Sequence, residues 1–458
     1  MEGIVSGKEA GKRQWLYPLV RKGTLYKWRS WISYVYLIFF FAGPFLRING
    51  QPLLLLNFFD RQFVLLGQVF WPQDIFLFML ASLVFIVCIV LFTIAFGRIF
   101  CGWICPQTIF MEMLFRKIEI WIEGAPNKRK KLDAGPWDKE KVIKKTSKHV
   151  LFIILSFLIA NTFLAYLIGS ENLIKTITGP ITEHWVGFGS IWLFTTVFYL
   201  VYTRVRELVC TVICPYGRLQ GVFIDKHTLV VAYDDVRGEP RGKLDRKADP
   251  LAAHKGDCVD CHLCVDVCPT GIDIRQGTQM ECVNCTACID ACNDVMAKIN
   301  RPLNLIGFFS ENMIREKEKP SFTGRMKGYT AIITILVGVL CYFIFSRSDM
   351  DLTVMRNAGT IYQERPNGMI SNIYTAEIIN KTNKPRSIIL RSEDPAFKIE
   401  YIQSVKSIAA GESVKAMFFV ITPASRIHAV ETDVKLQLVS GDKIAQTVST
   451  TFVGPIND

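Results

Sequence analysis

The chain has 458 residues, half of them hydrophobic, with a formal net charge of +12 and a mean hydropathy of +0.27. One soluble domain of about 100–200 residues does not fill that length, and a bare membrane bundle would be more apolar still. The surplus of Lys and Arg is read as loop charge of a membrane protein, since no nucleic-acid-binding motif accompanies it.

The N-terminal segment 1–28 is basic, with Lys8, Lys12, Arg13, Arg21, Lys22 and Lys27. Five apolar stretches reach the length needed to cross a bilayer, about 20 residues with about 17 as the lower bound. They are 29–47, 75–96, 150–168, 185–202 and 329–345. The first is no cleavable signal peptide, because its basic leader is long and no small-residue cleavage site follows. The runs Pro52–Phe59 and Gln62–Phe70 are too short to span and are read as an interfacial or re-entrant segment. Charge sets the orientation. The loop 97–149 holds twelve Lys or Arg, including Lys128 to Lys131, whereas 48–74 has only Arg61 and 169–184 only Lys175. The positive-inside rule therefore places the N-terminus, 97–149 and 203–328 in the cytoplasm. Five crossings leave 346–458 on the periplasmic side of a bacterial inner membrane.

Cys101-Gly-Trp-Ile-Cys105-Pro106 and Cys210-Thr-Val-Ile-Cys214-Pro215 form an internal repeat, each a few residues past a span and each with upstream arginine (Arg98; Arg204 and Arg206). Proline disfavours helix at the residue before it and suits the first turn of a new one. Cys105 and Cys214 are thus expected at helix N-termini, where dipole and arginine would lower a thiol pKa. Four such thiols make a soft site suited to Cu(I) or to disulfide exchange. Met111 and Met113 follow. Packing of an amphipathic helix 106–123 accounts for them better than metal ligation does. Buried structural thiols are the blander reading, adopted for Cys88 and Cys341, but repetition argues against it for the pairs.

Residues 258–269 read Cys258-x-x-Cys261-x-x-Cys264-x-x-x-Cys268-Pro269, and Cys282, Cys285, Cys288 and Cys292 repeat the spacing with Asn293 in the proline position. This is the bacterial two-cluster ferredoxin pattern, in which three close thiolates hold one cubane and the fourth ligates the other. It predicts two [4Fe–4S] clusters, one on Cys258, Cys261, Cys264 and Cys292, the other on Cys282, Cys285, Cys288 and Cys268. Zinc ribbons use two Cys-x-x-Cys pairs set well apart, which fits eight cysteines in this doubled pattern poorly. His262, between two ligands, flanks or tunes a cluster. Of His149, His184, His227, His254, His262 and His428 none lies mid-span. A bis-histidine haem in the bilayer is therefore not expected, and no dinucleotide fingerprint appears.

The tail alternates as strands, Asp351–Arg356, Met369–Asn380, Arg386–Arg391, Ser413–Ile421, Asp433–Val439 and Lys443–Phe452, punctuated at Asn383-Lys384-Pro385, Gly411 and Gly441-Asp442. An antiparallel sandwich fits. The expected architecture is therefore a multi-domain membrane protein. It comprises 1–28; a bundle 29–202 completed to five helices by 329–345; a cytoplasmic α+β segment 203–328 with a two-cluster ferredoxin-like domain at about 248–302; and an immunoglobulin-like β-sandwich 346–458.

The whole resembles the cytochrome c oxidase accessory family of the CcoG/FixG/RdxA type. The resemblance rests on Tyr17-Pro18 to Trp28-Arg29, Gly43-Pro44-Phe45-Leu46-Arg47-Ile48-Asn49-Gly50, Phe70-Trp71-Pro72-Gln73-Asp74, both Cys-x-x-x-Cys-Pro pairs, both cluster motifs and the tail. It implies reduction of Cu(II) to Cu(I), copper being the substrate, for assembly of cbb-type oxidases, with Cys101, Cys105, Cys210 and Cys214 as the copper site. The expected partners are the membrane, a cytoplasmic electron donor not yet identified, copper chaperones or oxidase assembly factors, and a second copy of the chain. A quinol dehydrogenase-type membrane ferredoxin and a non-catalytic assembly scaffold are the alternatives.

Overall fold

The computed structural model describes residues 15–48, 50–58, 62–65, 67–71, 74–243, 255–357, 361–382, 384–402, 405–427, 429–441 and 443–455. Of the residues singled out in the sequence, Lys8, Lys12, Arg13, Asn49, Phe59, Arg61, Pro72, Gln73, His254, Asn383, His428 and Asp442 lie outside these, as does the start of the ferredoxin-like domain near 248. The chain divides into two compact units. One comprises 1–43, 79–165 and 170–338; the other comprises 44–78, 166–169 and 339–458.

In chain order the helices are α1 (Thr24–Ala42), α2 (Ile75–Phe96), α3 (Ile99–Trp103) and α4 (Pro106–Ile109), which runs through a π-helical turn into α5 (Arg116–Glu123). Then come α6 (Pro126–Ala134), α7 (Lys139–Ile168), α8 (Ser170–Thr178) and α9 (Trp185–Leu200), continued by a π-turn at Val201–Val205. A third π-turn, Val209–Ile213, leads to α10 (Pro215–Phe223), α11 (Asp235–Gly238), α12 (Leu263–Asp266), α13 (Ala287–Lys298), α14 (Glu311–Arg315) and α15 (Gly324–Phe345). Among the described residues four helices are long and apolar enough to cross a membrane: α2, α7, α9 with its π-turn, and α15. Their outward faces carry large apolar side chains such as Phe85, Ile154, Leu193 and Ile335, the pattern of helices solvated by lipid. The predicted first span is helical but begins earlier, at Thr24, and α1 is not among the four. Lys27 and Arg29 fall inside it, and Arg29 is turned into the protein, where its Nε donates to Gly102 O at 2.8 Å.

The ferredoxin-like part is α+β. Strands Val230–Tyr233 and Ile306–Phe309 pair antiparallel, and a core of Val231, Tyr233, Ile272, Ile274, Ile289, Met296, Leu305 and Ile306 surrounds the cysteines. Gly23 offers α1 no side-chain cap. The Asp290 carboxylate on α13 supplies one instead, accepting from Leu25 N (3.2 Å) and Tyr26 N (2.7 Å). Negative charge at a helix N-terminus is favourable.

In the second unit, residues 350–453 form two larger antiparallel sheets and a two-stranded one, Arg386–Ser387 with Ser407–Ile408. Of the larger two, one runs Lys398–Tyr401, Ser413–Pro423, Met369–Asn380, Met350–Arg356, and the other Ile389–Ser392, Glu431–Ser440, Lys443–Val453. Alternate residues turn inward as the period-2 pattern requires, with Tyr374, Ala376, Ile378, Phe418, Val420, Leu436 and Leu438 at the core. The six strands read from sequence are present, Arg386–Arg391 being broken in two, while Gln363–Arg365, Lys398–Tyr401 and Ser407–Ile408 were not anticipated. The runs read as an interfacial or re-entrant segment form strands of a small sheet: Leu54–Asn57, Gln62–Leu65 and Gln68–Phe70. The reason is apolar alternation that buries Leu55, Val64 and Val69, with Gly67 taking the positive φ of the turn. In the same unit Asp74 binds Lys381 Nζ (2.8 Å) and Arg347 Nη2 (2.6 Å), all largely buried.

Candidate functional site

The eight ferredoxin-pattern cysteines converge on two cavities. Cys258, Cys261, Cys264 and Cys292 line one, together with His262 and Arg275. Cys268, Cys282, Cys285 and Cys288 line the other, with Cys264 at its edge. The two loops share a backbone as well as a spacing. In Cys258-Val-Asp260-Cys261-His262, Asp260 and His262 have φ of 52° and 56°; in Cys282-Val-Asn284-Cys285-Thr286, Asn284 and Thr286 have 51° and 64°. Left-handed backbone at non-glycine residues is disfavoured and persists where the surroundings fix it. Here it curls each loop so that three sulfurs face one hollow. Asn284 is fixed by three bonds: its Oδ1 accepts from Val231 N and from Cys282 Sγ, and its Nδ2 donates to Phe96 O. Asn293, in the proline position, clasps Asn304 through two side-chain bonds.

The thiols fit an iron–sulfur group. Burial pushes Cys264, Cys282 and Cys292 up to about 12 and Cys285 to about 11, and Cys288 is raised as well. Neighbouring cysteines add to each shift, so four thiolates in one dry hollow need a cationic core to ionise. Among the described residues no three His, Cys, Asp or Glu side chains close on a single-ion site. The sulfurs ring a hollow.

The two Cys-x-x-x-Cys-Pro repeats are brought together, and they are crossed. Cys105 and Cys214 are N-caps, with Pro106 and Pro215 opening α4 and α10 as expected. The first cysteine of each repeat faces the helix opened by the other. Gln220 Nε2, on α10, lies 3.5 Å from Cys101 Sγ, and Thr108 Oγ1, on α4, lies 4.0 Å from Cys210 Sγ. Arg98 donates to Gly217 O, and Gln107 Nε2 donates to Arg206 O at 3.4 Å. The lowering expected at Cys105 is not found. Burial raises Cys101 to about 11 and Cys210 to about 12, and Cys105 also rises although the Gln107 and Thr108 amides pull it down. Desolvation outweighs the helix end. Met111 and Met113 are both buried. Met113 takes a bond from Ser30, and Met111 also lines a small cavity with Cys210, Thr108 and Thr270.

The thiol repeat and the second four-cysteine site are packed together. A Cβ on Gly102, inside the first repeat, would collide with Val283 O and stand 3.0 Å from Asn284 C and O. Glycine alone allows that approach to the Cys282–Cys285 turn. Behind the repeats lies a charge network without sequence signal. Glu119, 1% exposed, binds Arg206 (2.8 and 2.9 Å) and Arg129 (2.6 Å). Burial by itself raises its carboxyl, but Arg206, Arg129 and Lys148 overcome this and hold it at about 2. Glu119, Arg129, Arg206, Lys145, Lys148, His149 and Tyr199 line a cavity of about 680 Å³, in which Tyr199 Oη and His149 Nδ1 are 2.9 Å apart. Gln220, Thr108, Gly102, Asn284 and Asp290 were likewise missed. Only Asn284 had a signal, a residue tolerant of left-handed backbone at the point where the repeat has Asp260.

Thiol-lined hollows beside apolar helices define a membrane-associated iron–sulfur redox protein. The comparisons narrow the class. A 4Fe-4S dicluster domain matches residues 205–311, a 4Fe-4S binding domain 78–129, and the IG-like fold at the C-terminus of FixG 340–455. Protein RdxB of Cereibacter sphaeroides is 34% identical over 94% of this chain and 95% of its own length. Nitrogen fixation protein FixG of Rhizobium meliloti is 30% identical over 85% and 81%. Ferredoxin-type protein NapH of Escherichia coli is 26% identical over 39% of this chain and 62% of its own. The chain belongs to the FixG/RdxA/RdxB family.

Proposed function

We propose that this protein of the bacterial inner membrane passes single electrons to copper, reducing Cu(II) to Cu(I) for assembly of a cbb-type cytochrome c oxidase. The observation that carries the reading is the crossed pair of Cys-x-x-x-Cys-Pro repeats lying against the Cys282–Cys285 turn. Cys258, Cys261, Cys264 and Cys292 would hold one cluster, and Cys268, Cys282, Cys285 and Cys288 the other. Each bound cluster supplies a reversible one-electron couple. Cys101, Cys105, Cys210 and Cys214 would draw in around the copper ion as it arrives, since among the described residues no three of these thiols already meet at a single-ion site, and soft sulfur favours the reduced product. With thiol pKa values near 11–12 at Cys101 and Cys210, copper binding releases protons. Gln220 and Thr108 orient two of the thiols by hydrogen bonding. The resemblance supplies the oxidase, its assembly factors or copper chaperones, and a cytoplasmic donor.

The proposed topology has five spans, α1 included, with the N-terminus, 97–149 and 203–328 cytoplasmic and the immunoglobulin-like tail periplasmic. It is supported by charge: six Lys or Arg in 1–28 and twelve in 97–149, against Arg61 alone in 48–74 and Lys175 alone in 169–184.

The test is the quadruple replacement of Cys101, Cys105, Cys210 and Cys214 by serine in anaerobically purified protein. Iron and sulfide should stay at two clusters per chain while electron-dependent Cu(II) reduction disappears. Undiminished copper reduction rejects the assignment. A second reading, oxidation of quinol, is favoured by the cavity of about 680 Å³. It joins apolar Phe152 and Leu200 to His149, Tyr199 and Thr203 on α7 and the end of α9, and it reaches Arg206, four residues before Cys210. Stoichiometric reduction of the iron by a quinol analogue without copper, lost in Tyr199→Phe, would select it.

A further inference from the structure

The two four-cysteine sites differ in the charge around them. At the Cys258 site every neighbouring arginine is matched by carboxylate. Arg275, which lines that hollow, is paired with Asp273 (2.7 Å) and Asp260. Arg237, beside Cys292, is paired with Asp257 (2.9 Å), and Arg301 with the same Asp257 (3.2 Å). At the Cys282 site the matching is absent. Arg29 and Arg98 are 5% and 4% exposed, and among the described residues neither has a carboxylate partner. Their hydrogen bonds go to neutral carbonyls: Arg29 Nε to Gly102 O and Arg98 Nη2 to Gly217 O. Arg29 Nη2 and Arg98 Nε are buried with no acceptor at all. Both arginines stand against the Cys282–Cys285 turn. Gly102, which Arg29 holds, packs on Val283 and Asn284, and Gly97, next to Arg98, meets the Asn284 side chain. The field of Arg29 reaches Cys285 and that of Arg98 reaches Cys282. The nearby acids make no ion pair with them. Asp290 is engaged by the α1 amides, Glu112 by Arg116 at 3.1 Å, and Glu281 is part-exposed and screened by water.

We infer that Arg29 and Arg98 set the Cys268, Cys282, Cys285 and Cys288 site at the higher reduction potential of the two, so that an electron entering at the Cys258 site comes to rest beside the thiol repeats. Reduction adds one negative charge to a cluster. Two buried, uncompensated cations favour that form at one site, and paired charges favour it at neither. The guanidiniums act through the thiolates and are tuning residues. They would make transfer toward Cys101 and Cys210 downhill, whatever the electron source. This inference rests on the cluster assignment proposed above.

The test is a dye-mediated redox titration of the full chain followed by EPR, with iron and sulfide counted in every sample. Wild type should reduce in two resolved one-electron steps. Cys285→Ser, which alters or removes one cluster, should affect the higher step. Arg29→Gln and Arg98→Gln should each lower the higher step by tenfold or more in the reduced-to-oxidised ratio at fixed potential, equivalent to 59 mV, and leave the lower step in place. Arg29→Lys, which keeps the charge, should restore most of the shift. Fewer than two clusters in wild type would overturn the underlying assignment. Two clusters present, with both steps moving equally or Arg29→Lys as low as Arg29→Gln, would overturn the inference alone. If Arg98→Gln fails to accumulate, the Arg29 pair of variants decides.

Discussion

Gly102→Ala sets two effects of opposite sign against each other. Gly102 lies inside α3, and helix propensity alone makes alanine better by about 1 kcal/mol. Packing opposes it. The new methyl would overlap Val283 O and press on Asn284, both backbone, so no flexible side-chain end can swing aside. Relief needs backbone movement of roughly half an ångström, and overpacking of this kind costs about 1–3 kcal/mol. Asn284 cannot yield freely, being tied to Val231 and Phe96. If α3 yields instead, the Gly102 carbonyl moves off Arg29, and a buried charged donor without an acceptor costs about 1.5–3 kcal/mol. With the propensity gain taken off, the net loss is about 0–2 kcal/mol if the turn yields and about 1.5–5 kcal/mol if α3 yields. The assay is thermal inactivation in detergent, read as half-life because such proteins unfold irreversibly, together with iron content and copper reduction rate. Gly189→Ala on α9 is the control. No atom beyond its own helix backbone lies within 4 Å of the methyl that this change would add, so the same propensity gain should appear unopposed. Wild-type half-life, iron and rate in Gly102→Ala would refute the proposed contact between repeat and turn.

Glu119→Gln should shorten the inactivation half-life, since Arg129 and Arg206 lose their buried counter-charge, a loss of about 3–5 kcal/mol. Its carboxyl is held at about 2, below the ordinary carboxylate value, so its stabilisation is full above pH about 4.5 and fades as pH falls toward 2. The variant should lack that part of the acid sensitivity, and an identical acid profile would count against the network. Cys101 and Cys210, with pKa values near 11 and 12, should alkylate with iodoacetamide about tenfold faster per pH unit up to pH 10 or so. A plateau near pH 9, measured by peptide mass spectrometry, would show ordinary thiols. Asp74→Ala should expose the tail to limited proteolysis by leaving Arg347 unmatched and Lys381 with Asp351 alone (3.4 Å), at about 3 kcal/mol; unchanged cleavage rates would show that the Asp74 pairs are dispensable.

The cysteines and the four apolar helices were legible because each rests on local spacing. Cys258 to Cys292 announce their loops by interval, and Pro106 and Pro215 announce two helix starts. The tail was legible by alternation, although Lys398–Tyr401 was missed because its pattern is short. The pKa of the Cys105 thiol was read in the wrong direction. Helix ends and arginines are visible in sequence, whereas the burial that outweighs them arises from packing distant segments. Gln220 on Cys101, Asp290 on α1 and Glu119 between Arg129 and Arg206 are tertiary pairings with no local signature. The strands of the 52–70 segment were not legible because short apolar runs serve lipid and small sheets equally well.

The cap on α1 has a consequence for synthesis. The helix leaves the ribosome early, yet the carboxylate that completes its first turn is 265 residues further on. Until Asp290 is made and its loop has closed, the two amides at Leu25 and Tyr26 have no such partner. The first turn of α1 is therefore completed only once the chain has grown past Asp290, and its anchoring is tied to the helix that carries Cys288 and Cys292.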